Sequence, residues 1–212
     1  MTSRLIRPAL AAPALFLLLS GCLGGLLGGG SDANLYRFGG GAVEAEAPAT
    51  GPFAPGALRV ELALPDFSPE TAGDRILTTE GASASYIKDA RWVTQAPVLY
   101  RAALAERFTR DTNDVPIIER RRGDTDFTLR VRIDRFQANY QAGPKQPPVF
   151  EIAGVATLFD NKGEERASYA VSDREQAMEN RTLAIVDAVD RAVARQTSTI
   201  ARWASGAMRQ GR

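Results

Sequence analysis

The chain has 212 residues, 44% of them apolar and 24% charged, which suits one hydrophobic core and is short for two. Its 26 basic side chains are nearly balanced by 25 acidic ones, so no broad positive field draws a polyanion, and nucleic acid is not an expected partner. Histidine is absent and the single cysteine stands at position 22, which removes Ser-His-Asp and Cys-His nucleophiles, histidine bases and the usual His/Cys zinc sites; no metal, cofactor or catalytic residue is expected.

Arg4 and Arg7 precede an apolar stretch, residues 9–19, interrupted only by Pro13. It is shorter than the roughly 20 residues a membrane-spanning helix needs and reads as a secretory signal. Leu19-Ser20-Gly21-Cys22 resembles the lipobox of bacterial lipoproteins. That resemblance implies removal of residues 1–21, diacylation of the Cys22 thiol with palmitate-type chains and, usually, acylation of the new amine. Cys22 is then a membrane anchor; the alternative is a plain signal peptide with an incidental cysteine. Leu23 stands where an aspartate would mark inner-membrane retention in enteric bacteria, so the same resemblance favours the periplasmic face of the outer membrane. With no partner for Cys22, the domain gains no disulfide and must be held by packing.

Residues 22–34 form a glycine-rich tether with no strand before it and no Lys-Ser/Thr after it, so its glycines do not make a phosphate loop. Residues 35–38 are a short strand candidate, and 39–56 return to Gly, Ala and Pro without periodicity, as a loop. Leu58, Val60, Leu62 and Leu64 alternate with Arg59, Glu61 and Ala63, predicting a half-buried strand that Pro65 stops. Residues 75–79 and 85–88 bracket Glu80-Gly81-Ala82 as a hairpin. From Pro97 onward, Tyr100, Ala103, Leu104 and Phe108 recur at helical spacing.

Residues 115–119 read as a short strand and 120–124 as a turn. Phe127, Leu129, Val131 and Ile133 alternate with polar residues, but the apolar phase moves to even numbers at Phe136, Ala138 and Tyr140, which a β-bulge near Asp134-Arg135 would accommodate. A proline-containing loop, 141–148, leads to a strand carrying Phe150, Ile152, Ala156 and Leu158. Asp160-Asn161-Lys162-Gly163 turns it into residues 165–171, completing an antiparallel meander. Asn180 can cap a closing helix of about twenty-five residues in which Leu183, Val186, Val189, Val193, Ile200 and Trp203 share a face. The expected fold is α+β, a mostly antiparallel sheet covered on one face by two helices, with the folded domain at 35–207 and a short tail at 208–212.

Asp74-Arg75-Ile76, the run from Tyr86 through Arg91-Trp92-Val93, and Ala96-Pro97-Val98-Leu99 opening a helix resemble the auxiliary lipoproteins of ABC-type transport systems, the PqiC/YmbA-like family. The lipobox, the Tyr36-Arg37-Phe38 segment, the strand from Arg132 to Tyr140 and a terminal helix carrying tryptophan follow in the same order. The resemblance covers most of the chain after the tether. It implies a non-catalytic subunit of a lipid-transport machine built on MCE-domain proteins, docked at the outer membrane. The chain carries no Walker motif, so ATPase and permease would be separate subunits.

Tyr86, Arg91 and Trp92 are the candidate partner-binding residues, because these residue types dominate interface hot spots. The other reading packs Tyr86 and Trp92 at a core edge and pairs Arg91 with Asp89 or Asp74. Asp134, Glu151 and Asp160 are not at a spacing that makes a catalytic carboxylate pair, and Arg120-Arg121-Arg122 reads either as a solvated turn or as a contact to anionic headgroups. Three functions compete. One is an accessory subunit of an MCE-type transporter, alone or assembled with copies of itself. The second is a stand-alone carrier of lipid or another hydrophobic ligand. The third is an enzyme using carboxylates or serines such as Ser83 or Ser85, against which the missing histidine counts most.

Overall fold

A computed structural model describes residues 33–40, 57–112, 115–118 and 125–210. These residues form β1 (Asn34–Tyr36), β2 (Val60–Leu62), β3 (Asp66–Phe67), β4 (Arg75–Glu80), β5 (Ser83–Trp92), α1 (Ala96–Asp111), β6 (Phe127–Asn139), β7 (Val149–Asp160), β8 (Glu165–Gln176) and α2 (Thr182–Gln210). The strands make one open mixed sheet in the order β1-β5-β4-β6-β7-β8, with β2 and β3 also paired to β6. Cys22, the tether up to residue 32, residues 41–56 and the Arg120-Arg121-Arg122 turn lie outside the described residues.

The long ladders are antiparallel, as a meander requires: β6 with β7, β7 with β8, and β4 with β5. β2, β3 and β4 lie end to end along the other edge of β6, each parallel to it, with Val60 opposite Phe127, Phe67 opposite Ile133 and Thr78 opposite Ala138. The strand expected over 58–64 is therefore only three residues long. Leu64, expected on its buried face, is exposed, because the chain leaves the sheet before Pro65 and rejoins it at Asp66. The short strand expected at 115–119 is reduced to a single bridge between Ile117 and Val60.

The bulge read from the apolar phase is present: the β6–β7 register shifts between Ile133 and Arg135. Leu129, Val131 and Ile133 before it and Phe136 and Ala138 after it all point into the core. The extra residue turns Phe136 inward. There its ring meets Phe38 at 5.4 Å, Phe67 at 5.2 Å and Phe150 at 4.9 Å. Opposite Ile133 stands Gly154, where a Cβ would lie 1.9 Å from the carbonyl oxygen of Arg132. Gly154→Ala is expected to destabilise the protein by about 2–3 kcal/mol through backbone displacement, measured by thermal or denaturant unfolding.

Both helices lie on one face of the sheet. In α1, Pro97 occupies the first turn, and Tyr100, Ala103, Leu104 and Phe108 are all buried, the tyrosine ring edge-on to Phe67. α2 is longer than expected at 29 residues and continues through Gly206 to bury Met208. Its buried stripe includes Val186, Val189, Val193 and Ile200, while Leu183 is exposed. Trp203 is half-buried and packs on Tyr169 of β8 at 5.6 Å. Asn180 makes no capping bond: it donates to the Pro144 carbonyl and accepts from the Tyr140 hydroxyl, tying the β6–β7 loop to the start of α2. After β1, Phe38 enters the core. Gly39, at φ +86°, passes so close to Ala103 that a Cβ would lie 2.5 Å from the alanine's own, and its N–H donates to Asp190 of α2 at 2.7 Å.

The rim of the α2–β8 contact is ionic. Arg191 donates to Glu175 at 2.7 Å, and Arg195 pairs with Asp173 at 3.0 Å and Glu175 at 2.8 Å. The hydrogen bond from Arg191, then that from Arg195, holds Glu175 below its ordinary 4.5 against the opposing effect of burial. A carboxylate depressed in the folded state stabilises it above the unfolded value and loses that contribution as pH falls through the folded one. Glu175→Gln should therefore melt lower than the parent at neutral pH, and the difference should close as the pH drops below 4.5.

Candidate functional site

The β4–β5 hairpin turns at Gly81-Ala82, as its sequence predicts, but β5 is much longer than β4 needs. Arg75 faces Arg91 and Leu77 faces Tyr86, so a single residue of β4 lies opposite four of β5. Asp89 sits in that bulge with φ at 52°, a left-handed conformation uncommon outside glycine. β1 pairs with the end of β5, from Ala90 to Trp92, and the Asn34 side chain reaches the Asp89 carbonyl.

This geometry separates the three candidate residues. Trp92 is turned into the core, 2% exposed and edge-on to Phe38 at 4.9 Å, so it supports the fold and offers no surface to a partner. Arg91 points the other way and grips Asp74 at 3.0 and 3.1 Å, the pairing that the second reading of this cluster allowed. Tyr86 is half-buried: its hydroxyl donates to the Glu70 carbonyl at 3.1 Å and the Arg75 guanidinium lies 3.7 Å over its ring. Tyr86 and Arg91 thus belong with Arg75 to the sheet face that neither described helix covers.

That face continues across β6 and β7. Residues of β6 that alternate with the buried set, Arg130 and Arg132, are exposed on it, and beyond the bulge Arg135 and Gln137 follow. Arg130 rests over the Phe159 ring at 4.8 Å, Arg132 pairs with Asp134 at 3.0 Å, and Gln137 donates to Thr79 of β4 at 3.0 Å. Their β7 partners include Thr157, Val155 and Ala153. The face carries arginine stems, small apolar side chains, the rings of Tyr86 and Phe159, and the carboxylates of Asp74, Asp134 and Glu151 paired with arginines, a composition suited to contact by a protein. The alternation of Arg130 and Arg132 with Leu129 and Val131 signals this face in the sequence; its meeting with Tyr86 and Arg91 depends on the parallel pairing of β4 with β6.

The carboxylates considered for acid/base chemistry are each occupied in local structure. Asp134 pairs with Arg132. Glu151 accepts from Asn139 and Gln141 and pairs with Arg174 at 2.8 Å. Asp160 closes the β7–β8 turn, where the N–H of Glu164, then that of Lys162, and the charges of Arg166 and Lys162 hold it below its usual range. Ser83 and Ser85 are exposed at the hairpin tip. Among the described residues no three of His, Cys, Asp and Glu are grouped to hold a metal, and no helix is long and apolar enough to cross a membrane.

The profile of one family, described as the ABC-type transport auxiliary lipoprotein component, matches residues 43–201. The fold is similar to that of a crystallised Xanthomonas campestris protein of the DUF330 family, at TM-score 0.66 and 16% identity over 84% of this chain and 98% of that one. It is also similar to a crystallised uncharacterized protein, at TM-score 0.63 and 14% identity over 82% and 99%. No curated protein matches the sequence.

Proposed function

We propose that this chain, which belongs to the family of ABC-type transport auxiliary lipoprotein components, is the non-catalytic accessory subunit of an MCE-type lipid transporter. It is anchored through lipidated Cys22 at the periplasmic face of the outer membrane and holds the MCE assembly there. The observation that carries this reading is the family match across most of the folded domain. Family membership sets a membrane-anchored place in the cell envelope and an auxiliary role in transport. The lipobox and Leu23 support the finer assignment of membrane, and the sheet face opposite the described helices, with Tyr86, Arg91 and the β6 arginines, is the surface proposed to meet the MCE protein. Permease and ATPase belong to other chains, and this one does no chemistry itself. Assembly with copies of itself is part of the proposal, because β8, twelve residues long, is the last strand of the sheet among the described residues and presents an edge that another strand can extend.

The test is affinity capture of the tagged full chain from detergent-solubilised envelope, with proteins and lipids identified by mass spectrometry. Recovery of an MCE-domain protein with its permease, lost when Tyr86 and Arg91 are both changed to alanine, is the expected result. Recovery of the chain alone with stoichiometric lipid would replace this reading with that of a stand-alone carrier.

A further inference from the structure

A groove of about 400 Å³ runs between the helices, lined by Arg107 of α1 and by Ala194, Arg195, Ser198, Thr199 and Arg202 of α2. Neighbouring arginines on these helices are matched to carboxylates: Arg110 to Glu106, Arg191 to Glu175, and Arg195 to Asp173 and Glu175. Arg107 and Arg202 are not; among the described residues neither has a hydrogen bond or an ion pair. The groove's hydroxyls are already committed, Ser198 donating to Asp111 and Thr199 to the Arg195 carbonyl at 2.9 Å. The bond from Ser198 places the Asp111 carboxylate beside the groove and holds it there.

Two guanidiniums without a carboxylate partner line one groove, and a bound anion would supply the missing counter-charge. A guanidinium presents its N–H groups as a planar fork that fits the oxygens of a phosphate two at a time, and it gives up water more readily than an ammonium does. We propose that the groove between α1 and α2 binds a phosphate group, with Arg107 and Arg202 gripping it from opposite helices. The proposal rests on the helix pair alone and stands whether or not the sheet face meets an MCE protein. A phospholipid headgroup and a free phosphate share this chemistry.

The experiment titrates the full chain, in a non-ionic detergent at low salt, with inorganic phosphate and separately with short-chain phosphatidylglycerol, following the phosphorus resonance. Binding of at least one probe is expected, weakened about 10-fold or more in the Arg107→Gln/Arg202→Gln double variant, as expected for loss of charge-assisted bonds. Lys145→Gln, which removes a charge from the β6–β7 loop, should leave it unchanged. Arg107→Lys/Arg202→Lys, which keeps the charge and loses the fork, should fall between the two and guards against a folding defect. Comparable binding of both probes marks a free phosphoryl ligand, and binding of phosphatidylglycerol alone marks a headgroup with its chains. Binding of neither probe, or equal binding by the parent and the glutamine double variant, overturns the proposal.

Discussion

Replacing Cys22 with serine will move the protein from the membrane to the soluble periplasmic fraction. Each buried CH₂ of an acyl chain contributes about 0.8 kcal/mol; one chain holds a protein marginally, and two hold it firmly. No described helix is long and apolar enough to substitute for the anchor. The arginines of the folded domain could add only screened contacts of about 1 kcal/mol each to an anionic surface. Washing membranes at high salt, blotting both fractions and measuring the mass of the mature chain checks this. The parent should stay with the membrane and carry acyl chains, and Cys22→Ser should wash away without them. A serine variant that stayed in the pellet after the wash would show that the anchor lies elsewhere.

Trp92→Ala should destabilise the fold by about 3–5 kcal/mol, the range for deleting a large buried aromatic. The ring is 2% exposed and stacks edge-on with Phe38, which in turn touches Phe136, so its loss opens a cavity beneath the start of the folded chain. For a protein of this size, that corresponds to a drop in melting temperature on the order of 10 °C. Arg91→Ala, one residue away, should cost under about 1 kcal/mol, because its pair with Asp74 is nearly half exposed on both sides. Thermal melts of the two variants therefore separate the packing residue from the surface residue. A Trp92 variant as stable as the parent would place that ring outside the core. Partner capture by Tyr86→Ala and Arg91→Ala can be interpreted as binding, whereas capture by Trp92→Ala would report folding.

Much of the architecture is legible in local patterns. The move of the apolar phase from Ile133 to Phe136 locates the bulge, Gly81-Ala82 marks the β4–β5 turn, and Asp160 to Gly163 marks the turn between β7 and β8. What the sequence hides is non-local. Nothing in residues 58–80 says that three short strands will line up parallel to one side of β6, so the alternation through Leu64 reads as one strand when the chain has already turned away. Leu183 fits the helical period but precedes the part of α2 that meets the sheet. Asn180 has the right chemistry for a cap and is used instead to hold a loop 36 residues away. For the candidate site, the sequence groups Tyr86, Arg91 and Trp92, but the strand period that puts Tyr86 and Arg91 on the face away from the described helices buries Trp92, and the bulge at Asp89 sets that phase. The unmatched state of Arg107 and Arg202 depends on which acids other elements bring near them, which no spacing along the chain reveals.

On the proposed function, this protein ties a transport assembly to the membrane that holds its own anchor. The direct measurement is reversible cross-linking of intact cells, separation of inner and outer membranes on a density gradient, and quantitation of the MCE-domain protein in the outer-membrane fraction. That protein should be recovered there with the parent chain and lost with either Cys22→Ser or the Tyr86→Ala/Arg91→Ala pair. Recovery that is unchanged in cells lacking the chain would contradict that tethering role.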